Sequence, residues 1–171
     1  MRRLLLFVVL ALLVAGGVAA ALVFLLRDDD GGDAELEAYF AAAAPLINEI
    51  DDRDFEVTSA GETFLRYATF LAETRNDFVA IEPPEKAAAA HEELGASLSD
   101  ATTALADLYD ANSDVATIEE ARTILQEDPA LVAAFGKAVA ACTDLKAIAD
   151  DSGVDVELDL CATAQPAAGG S

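Results

Sequence analysis

An uninterrupted apolar segment near the start of the chain constrains its structure more than any other feature. Residues 4–26 (LLLFVVLALLVAGGVAAALVFLL) contain no charged, hydroxyl or amide side chain and no proline. A helix of this length, rising about 1.5 Å per residue, would extend roughly 35 Å and cross a hydrocarbon core of about 30 Å. We therefore expect residues 1–27 to form a single-pass transmembrane signal anchor.

A cleaved signal peptide is the alternative interpretation of this segment. Arg2 and Arg3 would form its basic start, and residues 18–20 resemble a small-residue cleavage site. However, the apolar core of a signal peptide spans only about 7–15 residues, whereas this one continues to Leu26. We therefore prefer an uncleaved anchor in the cell membrane. The arginine bias predicts a cytoplasmic N-terminus and an extracytoplasmic domain.

The remainder of the chain is strongly acidic. All 32 Asp and Glu residues lie after residue 27, where only seven Lys and Arg residues accompany them, so this part has a net charge of −25. Such a field repels nucleic acid, because phosphate binding requires basic side chains. It attracts cations and basic partners such as a basic envelope protein. Its simplest role is a solubilising surface, including in a saline habitat.

Apolar residues after the anchor recur at helical spacing, which predicts an all-α fold. We expect an antiparallel bundle of four long helices plus one short helix. Pro45 should kink or interrupt the first of them. The third helix should carry a heptad seam formed by Ala87, His91, Leu94, Leu98, Ala101, Leu105, Leu108 and Asn112. The predicted ranges are 34–52, 61–81, 84–112, 117–127 and 129–150.

Local signals define several helix starts. Pro84 is expected at the first position of the third helix. Thr117 and Glu120 match a capping box, and Asp128 followed by Pro129 combines a capping side chain with proline at the first turn. These signals predict where the third, fourth and fifth helices begin.

The chain ends in an alternating segment flanked by cysteines. Residues 154–160 (VDVELDL) alternate apolar and acidic side chains, and we expect an extended arm with its apolar side on the bundle. Cys142 and Cys161 are the only cysteines. Outside the cytoplasm they would form a structural disulfide that closes a loop of about 20 residues. A redox thiol pair is the alternative, although its usual C-x-x-C spacing is absent.

His91 is the only histidine in the sequence. A metal site on a helix would require ligands three or four residues away, but those positions are Ala87, Ala88, Leu94 and Gly95. We therefore interpret His91 as a structural polar residue in the apolar seam. The sequence contains no phosphate-binding glycine loop, G-x-S-x-G motif or paired-cysteine zinc motif. It predicts no catalytic residue, metal or cofactor, and hence no enzyme.

Short motifs give the sequence a family resemblance. They are Glu82-Pro83-Pro84 followed by His91, Ala141-Cys142-x-x-Leu145, and Leu158-Asp159-Leu160-Cys161. In these the chain resembles exported or membrane-anchored bacterial helical-bundle proteins that have no assigned activity. The resemblance covers residues 60–161 and implies a Gram-positive-like or related envelope and a disulfide-closed bundle. Unlike the lipoprotein members, this chain has no cysteine before Cys142.

These features predict the domain organisation. Residues 1–27 form the anchor, 28–33 an acidic linker, 34–161 an extracytoplasmic helical bundle, and 162–171 a disordered tail. The expected function is that of a non-enzymatic binding or adaptor protein of the cell envelope. The alternative is a small-molecule or cation-binding sensor or carrier subunit, which would require a convergent pocket. The sequence does not specify an oligomeric state.

Overall fold

The computed structural model describes residues 33–50, 59–112, 115 and 117–162. Six helices and no strand occur within these ranges, which confirms the predicted all-α class. From Leu36 onward the described residues belong to one compact unit. The helices are α1, which includes residues 33–50, α2 (Ala60–Val79), α3 (Ala88–Ala111), α4 (Ile118–Glu127), α5 (Pro129–Asp151) and α6 (Asp159–Ala162).

Helix α3 lies at the centre of the bundle and packs against both α2 and α5. Its heptad seam is buried from Ala87 to Leu108. Small side chains widen the buried surface to a second face, because Ala90, Gly95, Ser97 and Ala104 are buried too. This combination allows two neighbouring helices to approach α3 closely on different sides.

Helices α2 and α3 run antiparallel. A Cβ atom added to Gly95 would lie 2.8 Å from Cγ1 of Val79, so the start of α3 lies beside the end of α2. At the other end, a Cβ atom on Gly61 would lie 3.9 Å from Cε2 of Tyr109. Since the 2.8 Å separation is shorter than a normal carbon–carbon contact, a Cβ atom at position 95 would force the Val79 side chain or the two helices to shift.

Helices α3 and α5 are also antiparallel. Lys137 Nζ donates to Asp100 Oδ2 over 3.0 Å, while Leu131, earlier in α5, faces the same cavity as Leu105, later in α3. The connection between the two helices contains the short helix α4, which contacts α2 and α5. The antiparallel arrangement predicted from the sequence therefore holds for α2, α3 and α5.

Helix α1 continues through Pro45, so the predicted interruption is wrong. All residues from 33 to 50 are helical, and Pro45 is exposed. Proline removes one backbone donor, but the apolar face of α1 is buried on both sides of position 45 and holds the two halves in one element. Its buried residues are Leu36, Tyr39, Phe40, Ala43, Ala44 and Ile47.

Helix α3 begins later than its proline signal predicts. Pro84 lies in a turn, in which the Ala87 N–H donates to the Pro84 carbonyl over 2.9 Å. The helix starts at Ala88, and its N-cap residue, Ala87, has no side chain that can accept a hydrogen bond. This start therefore has no side-chain cap, and Ala87 is buried in the core.

The other two predicted helix starts are confirmed. Thr117 Oγ1 accepts from the Glu120 N–H over 3.2 Å at the start of α4. Asp128 Oδ1 accepts from the Leu131 N–H over 2.8 Å, with Pro129 in the first turn of α5. In both cases one side-chain oxygen satisfies a backbone donor that has no partner within the helix.

Helix α5 ends in a left-handed glycine turn that directs the chain back along the bundle. Gly153 has φ of +71°, and the Val154 N–H donates to the Ala149 carbonyl over 2.9 Å. The Gly153 N–H donates to the Asp150 carbonyl over 3.1 Å, which completes a Schellman motif. Glycine adopts this conformation without the steric cost that a Cβ atom imposes.

The segment after this turn is extended only in part. Residues 154–158 have no regular secondary structure, with Val154 and Leu158 buried and Asp155 and Glu157 exposed, as the alternation predicts. From Asp159 the chain forms α6, so the prediction of an arm extended to residue 160 is wrong. The helical turn places Leu160 in the core and brings Cys161 to the bundle.

The predicted anchor (1–27), residues 28–32 of the predicted linker and the tail beyond residue 162 lie outside the described residues. Ala162, assigned by the sequence to the tail, is the last residue of α6. Among the helices that the structure describes, none combines the length and the apolar character needed to cross a membrane.

Candidate functional site

His91 lies where three helices meet. The residue is 6% exposed, and its Nδ1 atom is 3.1 Å from the Tyr39 hydroxyl of α1. Phe78 of α2 stacks on the imidazole with ring centroids 4.2 Å apart. Tyr39 contacts the same imidazole edge-on, with centroids 5.8 Å apart. We call these three side chains the His91 cluster.

The electrostatics of the His91 cluster favour neutral side chains. Burial lowers the pKa of His91 below its ordinary value of 6.5, because a buried imidazolium loses its hydration. Burial likewise raises the pKa of the Tyr39 hydroxyl above its ordinary value of 10.0. The Tyr39 O–H can therefore donate to Nδ1 of a neutral imidazole whose own proton is on Nε2. This pairing satisfies two buried polar groups on different helices, from residues that are 52 positions apart in sequence.

The two cysteines form a disulfide, as predicted. Cys142 on α5 is fully buried, and Cys161 on α6 lies half-buried at the core. Their Cα atoms are 5.4 Å apart, within the range of ordinary disulfides. Because both sulfurs belong to the bridge, neither is a free thiol in this structure. The bridge attaches α6, and with it the segment 154–158, to the interior of α5.

Asn48 of α1 holds the same segment from the other side. Its Nδ2 donates to the Glu157 carbonyl over 3.0 Å, and its Oδ1 accepts from the Asp159 N–H over 2.9 Å. One amide therefore satisfies both a backbone acceptor and the first donor of α6. Sequence reasoning missed Asn48, since neither partner is near it in sequence and no local pattern marks it.

A cavity of about 320 Å³ lies among α2, α3, α4 and α5. Buried Leu105 and Leu131 form its deepest wall, and half-buried Tyr67, Leu125 and Phe135 line its sides. Arg122 and Gln126 of α4 are exposed and lie where the cavity meets solvent. The cavity is thus apolar within and carries hydrogen-bond donors at its mouth.

This cavity was not predicted from the sequence. Its apolar residues have the spacing of ordinary core residues, and the sequence around Arg122 is typical of a solvent-exposed side of a helix. The structure shows where the space arises: in α4 only Ala121 is buried, whereas the apolar residues Ile118, Ile124 and Leu125 are half-buried. A short helix that buries so little leaves space between itself and the core.

Acidic side chains do not assemble into a metal site in the described part of the chain. Within it, no three His, Cys, Asp or Glu side chains lie close enough to hold a metal ion. Several carboxylates instead pair with basic side chains, as in Arg66–Glu62, Lys137–Asp100 and Lys146–Asp150. These exposed pairs each contribute only about 0–1 kcal/mol.

No protein-family model matches this sequence, and no curated protein or solved structure is significantly similar to it. What the chain does must therefore be argued from its own side chains.

Proposed function

We propose that this chain is a membrane-anchored, extracytoplasmic helical domain that acts as a non-enzymatic binding or adaptor protein of the cell envelope. The apolar run of residues 4–26 supports the anchor, because its length and composition suit a single span. The observation that most supports an extracytoplasmic location of the domain is the disulfide between Cys142 and Cys161. Disulfides persist mainly in oxidising compartments outside the cytoplasm. The resemblance to exported bacterial proteins supports the same location.

The chemistry of the described residues favours binding over catalysis. The single histidine of the sequence is buried and hydrogen-bonded to Tyr39, so its ring nitrogen serves the packing of α1 against α3. The net charge of −25 after residue 27 would attract a basic envelope protein and accelerate its association. An adaptor uses such a surface without any reacting group.

Membrane fractionation of the full chain tests the anchor. We expect the protein to stay in the membrane fraction after carbonate and high-salt washes. The control is the double variant Val14→Lys with Val18→Lys, which should no longer stay in the membrane fraction. Each lysine near the centre of a span costs about 2.5–3.5 kcal/mol of insertion free energy. A mature N-terminus near Ala21, found by mass spectrometry, would refute the uncleaved anchor.

Cross-linking in intact cells tests the adaptor role. We expect the oxidised full chain to cross-link to an envelope protein of basic net charge. Recovery of that complex should fall as salt rises from about 0.05 to 0.5 M, because salt screens interactions between exposed charges. Cross-links to an acidic partner, or recovery that salt leaves unchanged, would contradict a partner selected by charge.

A small-molecule sensor or carrier is the second candidate function. The cavity among α2, α3, α4 and α5 favours it, since ligand pockets are concave, mostly apolar and equipped with a few polar groups. The cation-binding form of this function gains no support from the cavity, because none of the lining residues that the structure describes is acidic.

A further inference from the structure

We propose that the cavity among α2, α3, α4 and α5 binds a small amphipathic carboxylate. The apolar body of the ligand would lie against Leu105, Leu131 and Phe135, and its carboxylate would pair with Arg122. This assignment of a ligand class rests on the second candidate function and is independent of the adaptor role.

The size of the cavity limits the apolar body of the ligand. An apolar cavity of about 150 Å³ in another protein accommodates benzene. The cavity here, about 320 Å³, has roughly twice that volume. A body of about ten to twelve carbon atoms, such as two fused aromatic rings, therefore matches the available space.

The walls of the cavity favour an apolar body over a polar one. Leu105 and Leu131 are buried among the core residues, and Phe135 packs against that core from a half-buried position. Tyr67 and Leu125 complete the walls. A bound apolar group would remove the surfaces of these side chains from water, which is favourable in proportion to the area covered.

The mouth of the cavity favours an anionic head group. Arg122 and Gln126 are four residues apart and so project from the same face of α4. A guanidinium presents two parallel N–H donors that fit a carboxylate, and the Gln126 amide can add a further donor. Both groups are exposed, so a ligand can reach them without rearrangement of the core.

The charge of Arg122 is available for a ligand. Within the described part of the chain Arg122 forms no ion pair, unlike Arg66, Lys137 and Lys146. The carboxylates of α4, on Glu119, Glu120 and Glu127, are exposed and do not line the cavity. Among the described residues that line the cavity, the one charged side chain is therefore a cation, which favours anionic ligands over cationic ones.

A pair of probes that differ only in charge tests this proposal. The full chain, labelled with ¹³C in its leucine methyl groups and reconstituted in lipid nanodiscs, is titrated with 2-naphthoate and separately with neutral 2-naphthalenemethanol. We expect both probes to shift the methyl signals of Leu105, Leu125 and Leu131, and 2-naphthoate to bind more tightly. The site-specific signals distinguish cavity binding from partition of the probes into lipid.

Substitutions at the mouth and in the wall provide the decisive comparison. Arg122→Gln should weaken 2-naphthoate about threefold, as expected for loss of an exposed ion pair, and leave 2-naphthalenemethanol unchanged, since only the anion pairs with the guanidinium. Lys86→Gln is the matched control, because it removes the same charge at the other end of α3 and should alter neither affinity. Leu125→Trp should occupy part of the space that the fused rings need and weaken both probes, as read from the methyl signals of Leu105 and Leu131.

The possible failures are distinguishable. If neither probe shifts the three leucines of the wild-type chain, the cavity is not a ligand site and the second candidate function is wrong. If both probes bind but Arg122→Gln affects neither, the carboxylate class is wrong while small-molecule binding stands. If Lys86→Gln weakens the binding of 2-naphthoate as much as Arg122→Gln does, the overall electrostatic field of the protein selects the anion rather than Arg122. That result would also overturn the proposal. Because Arg122 is exposed, its substitution tests the ligand class without disturbing the fold.

Discussion

Removal of the disulfide should lower the stability of the domain by a predictable amount. The cysteines are 19 residues apart in sequence, so the bridge closes a loop of about 20 residues. The chain-entropy model gives about 3 kcal/mol for such a loop at 25 °C. For a domain of about 130 residues, with an unfolding entropy of about 2.1 cal/mol/K per residue, this loss corresponds to a decrease in Tm of about 11 °C.

The double substitution Cys142→Ala with Cys161→Ala is the appropriate perturbation. Alanine avoids placing a hydroxyl group at Cys142, which is fully buried. Urea denaturation followed by circular dichroism gives the free energy of unfolding, and calorimetry gives Tm. If the bridge acts mainly on the denatured chain, the m-value of the variant should rise, because an unlinked chain exposes more surface on unfolding.

Reduction of the wild-type protein is the matching control. Dithiothreitol should lower the Tm of the wild type by about the amount that the double substitution does, and should not affect the double variant. A loss below about 1 kcal/mol would refute the assignment of a stabilising bridge. Labelling of both thiols in the native protein isolated from cells would instead support the redox pair that the sequence left open.

Other predictions concern single side chains whose surroundings the structure defines. Burial lowers the pKa of His91 in the folded protein, so the neutral imidazole contributes to stability above pH 6.5. This contribution is lost as pH falls toward the lower pKa of the folded state. Acidification should therefore destabilise the wild type relative to His91→Leu, as measured by urea titrations. Gly95→Ala should lower Tm, since overpacking costs about 1–3 kcal/mol. By contrast, a Cβ atom at position 136 meets no atom within 4 Å. Gly136→Ala should therefore raise the free energy of unfolding by up to about 1 kcal/mol. Asn48→Asp should cost about 1 kcal/mol, measured by urea denaturation, because a carboxylate cannot donate to the Glu157 carbonyl; an unchanged stability would show that this hydrogen bond contributes nothing.

Local sequence patterns were sufficient to predict most of the helices. Thr117 and Asp128 were expected to start α4 and α5, and the structure confirms both caps. The heptad spacing from Ala87 to Leu108 predicted which face of α3 is buried. These features depend on residues within one or two turns of each other, so the sequence contains all the information that determines them.

The errors in the prediction occur where distant residues compete with local preference. The expected interruption of α1 at Pro45 does not occur, because the apolar face of α1 is buried before and after it and the helix continues. Pro84 was expected to begin α3, yet the helix begins at Ala88. The alternating segment was expected to remain extended to residue 160, but Asn48 receives the first N–H of α6 and the disulfide holds the end of that helix.

The sequence by itself determined the helical class, the periodicity of the core and the pairing of its two cysteines, because these follow from composition and short-range spacing. Only the tertiary structure decided which surfaces meet. The Tyr39–His91 hydrogen bond joins residues 52 apart, and the Asn48 contacts join residues 109 and 111 apart. The cavity beside Arg122 arises from four helices together. No segment shorter than the folded unit contains such features, since each depends on how helices pack rather than on how each one forms.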